Sequence, residues 1–253
     1  MGLWFSANPR AAIVTATVVF AAGCAPNTVI AESNDAGPRD AGPSDAGPSD
    51  AGPRDAGPSD AGPSDAGRPP KGTPIANSVA DFSLVQGERN WSYGYVEPAT
   101  SSEFQLMTQV ATVDGYTPPS GEAWPTWAVQ PGQYWTKIFE VGAHANGVIT
   151  TQGRQPVNQY AVRRWTSSVS GSVTLTGELA KIDTASSSNG VDARIVVDQV
   201  VVYSQFVKGD DSSGYAFEVP VTVHLGSIVD FVLDSHAEND VADLTRFTAA
   251  ISY

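Results

Sequence analysis

The sequence predicts an all-β protein whose folded part is an antiparallel β-sandwich of the jelly-roll type, preceded by a signal peptide and a disordered repeat linker. From about Thr73 onwards, Val, Ile, Thr, Tyr and Phe occur in short runs separated by Gly, Asn, Asp, Ser and Pro. Several runs alternate apolar and polar residues, the period that buries one face of a strand. Helix-type patterns are nearly absent, and the segment is long for an immunoglobulin-like sandwich, which favours the jelly roll.

Charge and cysteine content argue against a nucleic-acid-binding protein and against a domain stabilised by disulfides. The 253 residues carry a formal net charge of -13, and the segment after residue 72 is itself acidic. Nucleic-acid binding relies on Lys and Arg neutralising phosphates, so a nucleic-acid partner is not expected. Cys24 is the sole cysteine, so the folded part has no internal disulfide and depends on its core.

Residues 1–23 have the pattern of a secretory signal. Arg10 precedes an uncharged apolar run, residues 11–23, that is shorter than the roughly 20 residues of a membrane-spanning helix. The tetrapeptide AAGC at 21–24 resembles the lipobox of bacterial lipoproteins. That resemblance implies that Cys24 is lipidated and becomes the new N-terminus, and that Ala25 after it directs the protein to the outer membrane. An unmodified Cys24 in an ordinary signal peptide or anchor is the alternative.

Residues 24–72 are predicted to form a disordered tether. The unit Asp-Ala-Gly-Pro-(Ser/Arg) recurs from residue 35 to residue 67 and contains no aliphatic side chain larger than alanine. Proline every fifth residue excludes a helix, and the segment has too little apolar surface to offset the entropy of folding. A period of five also excludes collagen, which needs glycine at every third position. The predicted layout is therefore signal peptide 1–23, tether 24–72 and sandwich 73–253.

The clearest strand pattern is residues 217–225, FEVPVTVHL, in which alternate apolar residues from Phe217 to Leu225 share one face. Pro220 cannot donate to a ladder, so this strand is expected at a sheet edge or at a bulge. Asp198 and Gln199 separate two Val-rich runs and predict a two-residue hairpin turn. Similar alternation occurs at 172–179, 229–233 and 247–253, and about ten to twelve strands are expected in all.

A resemblance to a known domain class rests on five segments of the predicted sandwich. They are residues 82–87 (FSLVQG), 90–95 (NWSYGY), 104–107 (FQLM), 162–171 (VRRWTSSVSG) and 231–234 (FVLD). Together they resemble the jelly-roll domain, similar to carbohydrate-binding modules, that is found beside secreted bacterial glycosidases and polysaccharide lyases. The resemblance implies the fold and, by analogy of fold, a glycan ligand, and it carries over no ligand-binding residues.

Two groups of aromatic residues are candidates for stacking on sugar rings. Trp91, Tyr93 and Tyr95 alternate with small or polar residues, which places the three rings on one side of a strand; they form either a platform or part of the core. Residues 118–132 contain several prolines, which predict an irregular surface loop that carries Trp124 and Trp127. Its indoles either face a ligand, with Tyr134 and Trp135 extending the surface, or plug the open end of the sandwich.

Charged residues give two further candidates. Arg163 and Trp165 share one face of a strand and Arg164 takes the other, so a buried Arg163 is expected to need a carboxylate partner. Arg164 either forms a structural ion pair or recognises an acidic sugar or a hydroxyl cluster.

The segment 234–243 offers oxygen ligands suited to a structural Ca²⁺, while a solvated turn is the alternative. The candidate ligands are Asp234, Asn239, Asp240 and Asp243. The three histidines are scattered, which gives zinc no support.

The predicted function is that of a noncatalytic glycan-binding lipoprotein, held at the outer membrane by lipid on Cys24 and facing either the periplasm or the cell surface. A cell-envelope adhesion module that binds protein is the first alternative. A small polysaccharide hydrolase or lyase is the second, because carboxylates from distant strands can converge without a sequence motif. The sequence contains no nucleophile elbow, zinc-protease motif or phosphate-binding loop, which disfavours an enzyme.

Overall fold

The computed structural model describes residues 69–112 and 124–253. The predicted signal peptide, the lipidation site Cys24, nearly all of the repeat tether and most of the proline-rich segment before Trp124 lie outside these residues. Within them, no helix is long and apolar enough to cross a bilayer.

Fourteen strands and two short 3₁₀ helices make up the described part of the chain. The 3₁₀ helices span Glu88–Asn90 and His236–Glu238. The strands are β1 (Pro74–Asn77), β2 (Trp91–Glu97), β3 (Ser101–Leu106), β4 (Gln109–Thr112), β5 (Pro125–Ala128), β6 (Lys137–Phe139), β7 (Gly142–His144), β8 (Tyr160–Thr166), β9 (Gly171–Lys181), β10 (Val191–Val197), β11 (Val200–Val207), β12 (Tyr215–Val223), β13 (Ile228–Ser235) and β14 (Thr245–Ser252).

The strands form two antiparallel sheets, which confirms the predicted all-β sandwich. The eight-stranded sheet has the order β12-β9-β14-β7-β6-β5-β4, with β1 paired to β14, and the six-stranded sheet has the order β11-β10-β13-β8-β2-β3. From β8 onwards, consecutive strands lie in different sheets, except that β10 and β11 form a hairpin within the six-stranded sheet.

Local chemistry explains why the strands begin and end where they do. The β10–β11 turn is the predicted one: Asp198 and Gln199 have φ of 46° and 71°, the left-handed pair that a two-residue hairpin requires. Pro220 lies on β12, which is an edge strand as predicted. Leu225 was wrongly assigned to that strand: β12 ends at Val223, and Leu225 is 74% exposed in the following turn.

The number of strands exceeds the prediction, and the irregular loop predicted at 118–132 is wrong at residues 125–128, which form β5. β5, β6 and β7 are each only three or four residues long. Runs this short do not complete two periods of alternation, and the neighbouring prolines and glycines give them the composition of a loop.

The core lies between the sheets, and the side chain of Arg163 on β8 is buried in it. The prediction that Arg163 pairs with a carboxylate is wrong, because its guanidinium donates to backbone carbonyls. Nη2 of Arg163 donates to the carbonyls of Phe139 (2.6 Å) and Glu140 (3.1 Å), and Nη1 donates to the carbonyl of Phe247 (3.3 Å). Burial lowers the pKa of Arg163 to about 10. Because its acceptors belong to the eight-stranded sheet and its own strand to the other, the guanidinium joins the two sheets.

Candidate ligand-binding groove

The structure favours the core alternative for Trp91 and Tyr93. Both side chains are fully buried. Tyr93 stacks on Trp127 with 6.1 Å between ring centroids, and Phe82 meets it edge-on at 5.1 Å. Neither face of the predicted platform is open to a ligand.

Trp124 and Trp127, the two indoles predicted to share a loop, lie in different environments. Trp127 is 6% exposed, and its Nε1 donates to the carbonyl of Ser83 at 2.9 Å. Trp124 is half-buried and stacks on Phe139, with ring centroids 4.8 Å apart and planes 8° apart. Trp127 belongs to the main core, while Trp124 packs on a small separate cluster. The two rings therefore do not form one exposed surface.

Trp135 lines a small polar pocket of about 240 Å³, together with Lys137, His144 and Asp240. The ring is 8% exposed because cations cover it: Arg154 Cζ lies 4.2 Å and Lys137 Nζ 4.7 Å from its centroid. Burial, with the nearby Lys137, lowers the pKa of His144 to about 3, so this imidazole is neutral. Tyr134 is partly buried and packs against the main core.

The four predicted calcium ligands are engaged with protein donors. Asp234 accepts from Arg194 Nη2 at 3.2 Å, and Asn239 Oδ1 accepts from the backbone N–H of Val241 at 3.1 Å. Asp240 Oδ2 accepts from the backbone N–H of Gly147 at 2.8 Å, and Asp243 Oδ1 accepts from Lys181 Nζ at 3.2 Å. Within residues 69–112 and 124–253, no group of three or more His, Cys, Asp or Glu side chains is placed to hold a metal ion.

The outer face of the six-stranded sheet carries a larger feature, a groove of about 880 Å³. One wall is formed by β2 and β3, the floor by β8, β13 and β10, and the other wall by the β10–β11 turn. This volume falls within the roughly 300–1,000 Å³ of typical ligand sites, whereas the pocket beside Trp135 falls below it. The lining residues that shape its chemistry are Phe104, Tyr160, Arg164, Arg194, Asp198 and Asp230.

Arg164 is fixed in the floor of this groove by an ion pair and a ring. It is the register neighbour of Asp230, and Nε and Nη2 donate to the two carboxylate oxygens at 2.7 and 2.8 Å. Its Cζ lies 3.9 Å from the centroid of Phe104. Of the two alternatives for Arg164, the structure shows the ion pair, and its bidentate geometry holds the guanidinium plane in one orientation facing the groove.

Gly94 on β2 is what allows Phe104 to lie so close to the sheet. A Cβ added at Gly94 would meet atoms of the Phe104 ring at 2.5 Å and the Gln105 carbonyl at 2.2 Å. The ring therefore occupies the space that a side chain would take, with the Arg164 guanidinium also against it. Gly94, Phe104 and Arg164 come from three adjacent strands, β2, β3 and β8.

Arg194 repeats the arrangement further along the floor. Its Cζ lies 5.0 Å from the centroid of Tyr160, and it pairs with Asp234. Burial raises the pKa of Asp234 to about 6, an effect that Arg194 opposes. Two planar cations, each with its own ring and carboxylate, therefore line one groove.

Sequence reasoning identified Arg164 but missed Phe104, Tyr160 and Arg194. Alternation does place Arg164 on the face opposite to the buried Trp165. The partners come from other strands, however, and their contacts depend on the pairing β13-β8-β2-β3, which local sequence does not encode.

Comparisons with known proteins give fold likenesses only. No protein-family model matches the chain, and no curated protein sequence matches it. Solved structures that it resembles include a family 35 carbohydrate-binding module from Clostridium thermocellum (14% identity, 56% of this chain and 85% of that one, TM-score 0.28). A second is the CBM51 of Clostridium perfringens GH95 in complex with methyl-galactose (13% identity, 63% of this chain and 99% of that one, TM-score 0.32). A third is the pair of tandem CBM51 modules of a Streptococcus pneumoniae family 98 glycoside hydrolase (13% identity, 57% of this chain and 40% of that one, TM-score 0.34). At these identities and TM-scores they assign neither a family nor a ligand to this chain.

Proposed function

We propose that the sandwich is a noncatalytic module that binds a glycan chain along the groove of the six-stranded sheet. The observation that carries the proposal is the fixed pair of guanidinium groups in the groove floor, each with a ring and a carboxylate. Sugar hydroxyls both donate and accept hydrogen bonds, while the C–H faces of a pyranose are apolar. A groove that combines immobilised donors, acceptors and apolar side chains such as Val196 and Val232 suits both properties.

Asp198 and Asp230, two carboxylates that line the groove, are engaged in a way that suits binding better than acid catalysis. Glycoside cleavage needs a carboxyl group that is protonated near neutral pH. Asp230 has both oxygens engaged by Arg164. Asp198 accepts from the backbone N–H of Ile228 at 2.8 Å and from the Ser227 hydroxyl at 2.7 Å, and these bonds lower its pKa. All four carboxylate oxygens of these two residues therefore already accept hydrogen bonds from the protein.

Arg164→Ala is expected to weaken binding by about tenfold to a hundredfold, because hydrogen bonds to a charged group contribute about 1.5–3 kcal/mol. The measurement is electrophoretic retention in gels containing each of a panel of neutral and acidic polysaccharides, followed by titration calorimetry on any that retards the protein.

The matched control is Arg246→Ala. Arg246 pairs with Glu178 at 3.3 Å and is half-exposed on the eight-stranded sheet. This variant is expected to bind as the wild type does. Absence of retention on every polysaccharide by folded wild-type protein, or equal losses in both variants, would contradict the proposal.

The module is further proposed to be displayed at the outer membrane by lipid on Cys24, with residues 25–72 as the spacer. Several acyl chains make attachment effectively permanent, at roughly 0.8 kcal/mol per buried methylene. Cys24→Ser is therefore expected to move the protein from the membrane to the soluble fraction and to abolish incorporation of labelled palmitate. Equal membrane recovery of the variant and the wild type would exclude this mode of attachment.

A further inference from the structure

A buried ion pair joins the end of β9 to the segment that leads into β14. Lys181 Nζ lies 3.2 Å from Asp243 Oδ1, and both side chains have no solvent exposure. Lys181 is the register partner of Thr245, two residues after Asp243, so the backbone ladder fixes the two side chains in place.

The surroundings of the pair compensate its charges only in part. The Ser188 hydroxyl donates to Asp243 Oδ1 at 3.2 Å, but Oδ2 is buried without a hydrogen-bond partner. Asp183 and Asp240 are the other acids that act on the pair, and the nearby His144 is neutral. Removing two ions from water costs several kcal/mol each, a cost that falls if the proton moves from nitrogen to oxygen.

Burial shifts both groups towards these neutral forms. It raises the pKa of Asp243 to about 7 and lowers the pKa of Lys181. Proton transfer along the existing 3.2 Å contact converts the ammonium and the carboxylate into an amine and a carboxylic acid. A neutral amine is a nucleophile, and the carboxylic acid is the form of the carboxyl group that it can attack.

We propose that Lys181 and Asp243 condense into an intramolecular amide that covalently links β9 to the start of β14. The Lys181 nitrogen attacks Cγ of Asp243, forming the C–N bond. The nitrogen gives up a proton, and the carboxyl C–OH bond breaks. One water molecule leaves, no atom changes oxidation state, and no further reactant is required.

Two physical effects favour this reaction at a site closed to solvent. Groups held about 3–3.5 Å apart react with effective molarities far above those reached in solution, because their translational entropy has already been lost. The product is a neutral amide, so condensation removes two buried charges and leaves no ion that must be solvated. An exposed pair has neither advantage, since water stabilises its charges and separates its partners.

The test is peptide mapping of the full chain, denatured and digested with trypsin, by tandem mass spectrometry. The amide blocks cleavage after Lys181, so residues 165–194 are expected to appear joined to residues 209–246, with a mass lower than their sum by one water molecule. Fragment ions place the link at Lys181 and Asp243. Loss of water confined to one peptide, with normal cleavage after Lys181, would indicate another modification and would overturn the proposal.

An internal control is present in the same digest. Lys208 and Asp210 pair at 3.0 Å with side chains that are 71% and 63% exposed, and cleavage after Lys208 is expected to be complete. Lys181→Arg keeps the charge but cannot form the amide, and it should yield the separate peptides. Because the wild-type digest is decisive by itself, recovery of unlinked peptides with the full mass would leave an ordinary buried salt bridge and exclude the amide, whether or not the variant folds.

Discussion

Trp127→Ala is expected to lower the free energy of unfolding by about 3–5 kcal/mol, the usual cost of truncating a buried tryptophan. The ring is 6% exposed, stacks on Tyr93 and donates through Nε1 to the Ser83 carbonyl. Truncation would leave a cavity against Tyr93 and a carbonyl without its indole donor. Equilibrium unfolding in urea, followed by circular dichroism, measures the change.

The control for this variant is Trp127→Phe. It retains an aromatic ring against Tyr93 and removes the indole N–H, so we expect a smaller loss of stability than in Trp127→Ala. If Trp127→Ala unfolds at the wild-type urea concentration while glycan binding disappears, the indole belongs to a binding surface and its assignment to the core is wrong.

Arg163→Met is expected to destabilise the sandwich by at least about 2 kcal/mol, although it removes a buried charge. The guanidinium donates to the carbonyls of Phe139, Glu140 and Phe247, which would lose this donor in the variant. Leaving a buried polar group unsatisfied costs about 1–3 kcal/mol. The relief of desolvation, visible in the lowered pKa of Arg163, offsets part of that loss. The apolar methionine cannot replace the hydrogen bonds between the sheets.

Thermal and urea unfolding of Arg163→Met and Arg163→Lys measure this contribution. The lysine variant keeps a cation that reaches fewer carbonyls, so its stability should fall between those of the wild type and Arg163→Met. Arg246→Ala, on the exposed face of the other sheet, is expected to change stability by no more than about 0.5 kcal/mol. Equal stability of Arg163→Met and the wild type would show that the guanidinium does not hold the sheets together.

The sandwich could be predicted from the sequence because each long strand buries one face. Apolar residues therefore occur at every second position of such a strand. The pattern of β13, with Val229, Phe231 and Leu233 buried, is visible without any structure. So is the β10–β11 turn, since Asp and Gln between two Val-rich runs leave only a short reversal. The strands β5 to β7 were missed because three or four residues do not show a period.

The candidate site could be predicted only in part, because local sequence does not distinguish an aromatic residue of the core from one that binds a ligand. Trp91 alternates with small and polar neighbours as a binding platform would, and it lies in the core. Phe104 is in the groove because Gly94, on the neighbouring strand, leaves room for its ring. A contact of this kind depends on strand register, which is set by the whole fold and not by the segment itself.

The pairing of the first strand with the last has a consequence for how the chain is connected. β1 pairs with β14, and the backbone N–H of Tyr253 donates to the carbonyl of Thr73 at 3.0 Å. The two extremities of the sandwich therefore sit side by side, as they do in many domains that tolerate circular permutation or insertion into a host loop. A short peptide bridge could close this gap, and a new opening at the exposed Asp198-Gln199 turn would preserve every strand neighbour. Such a permuted chain would keep the same strand pairs with a different order of strands along the sequence.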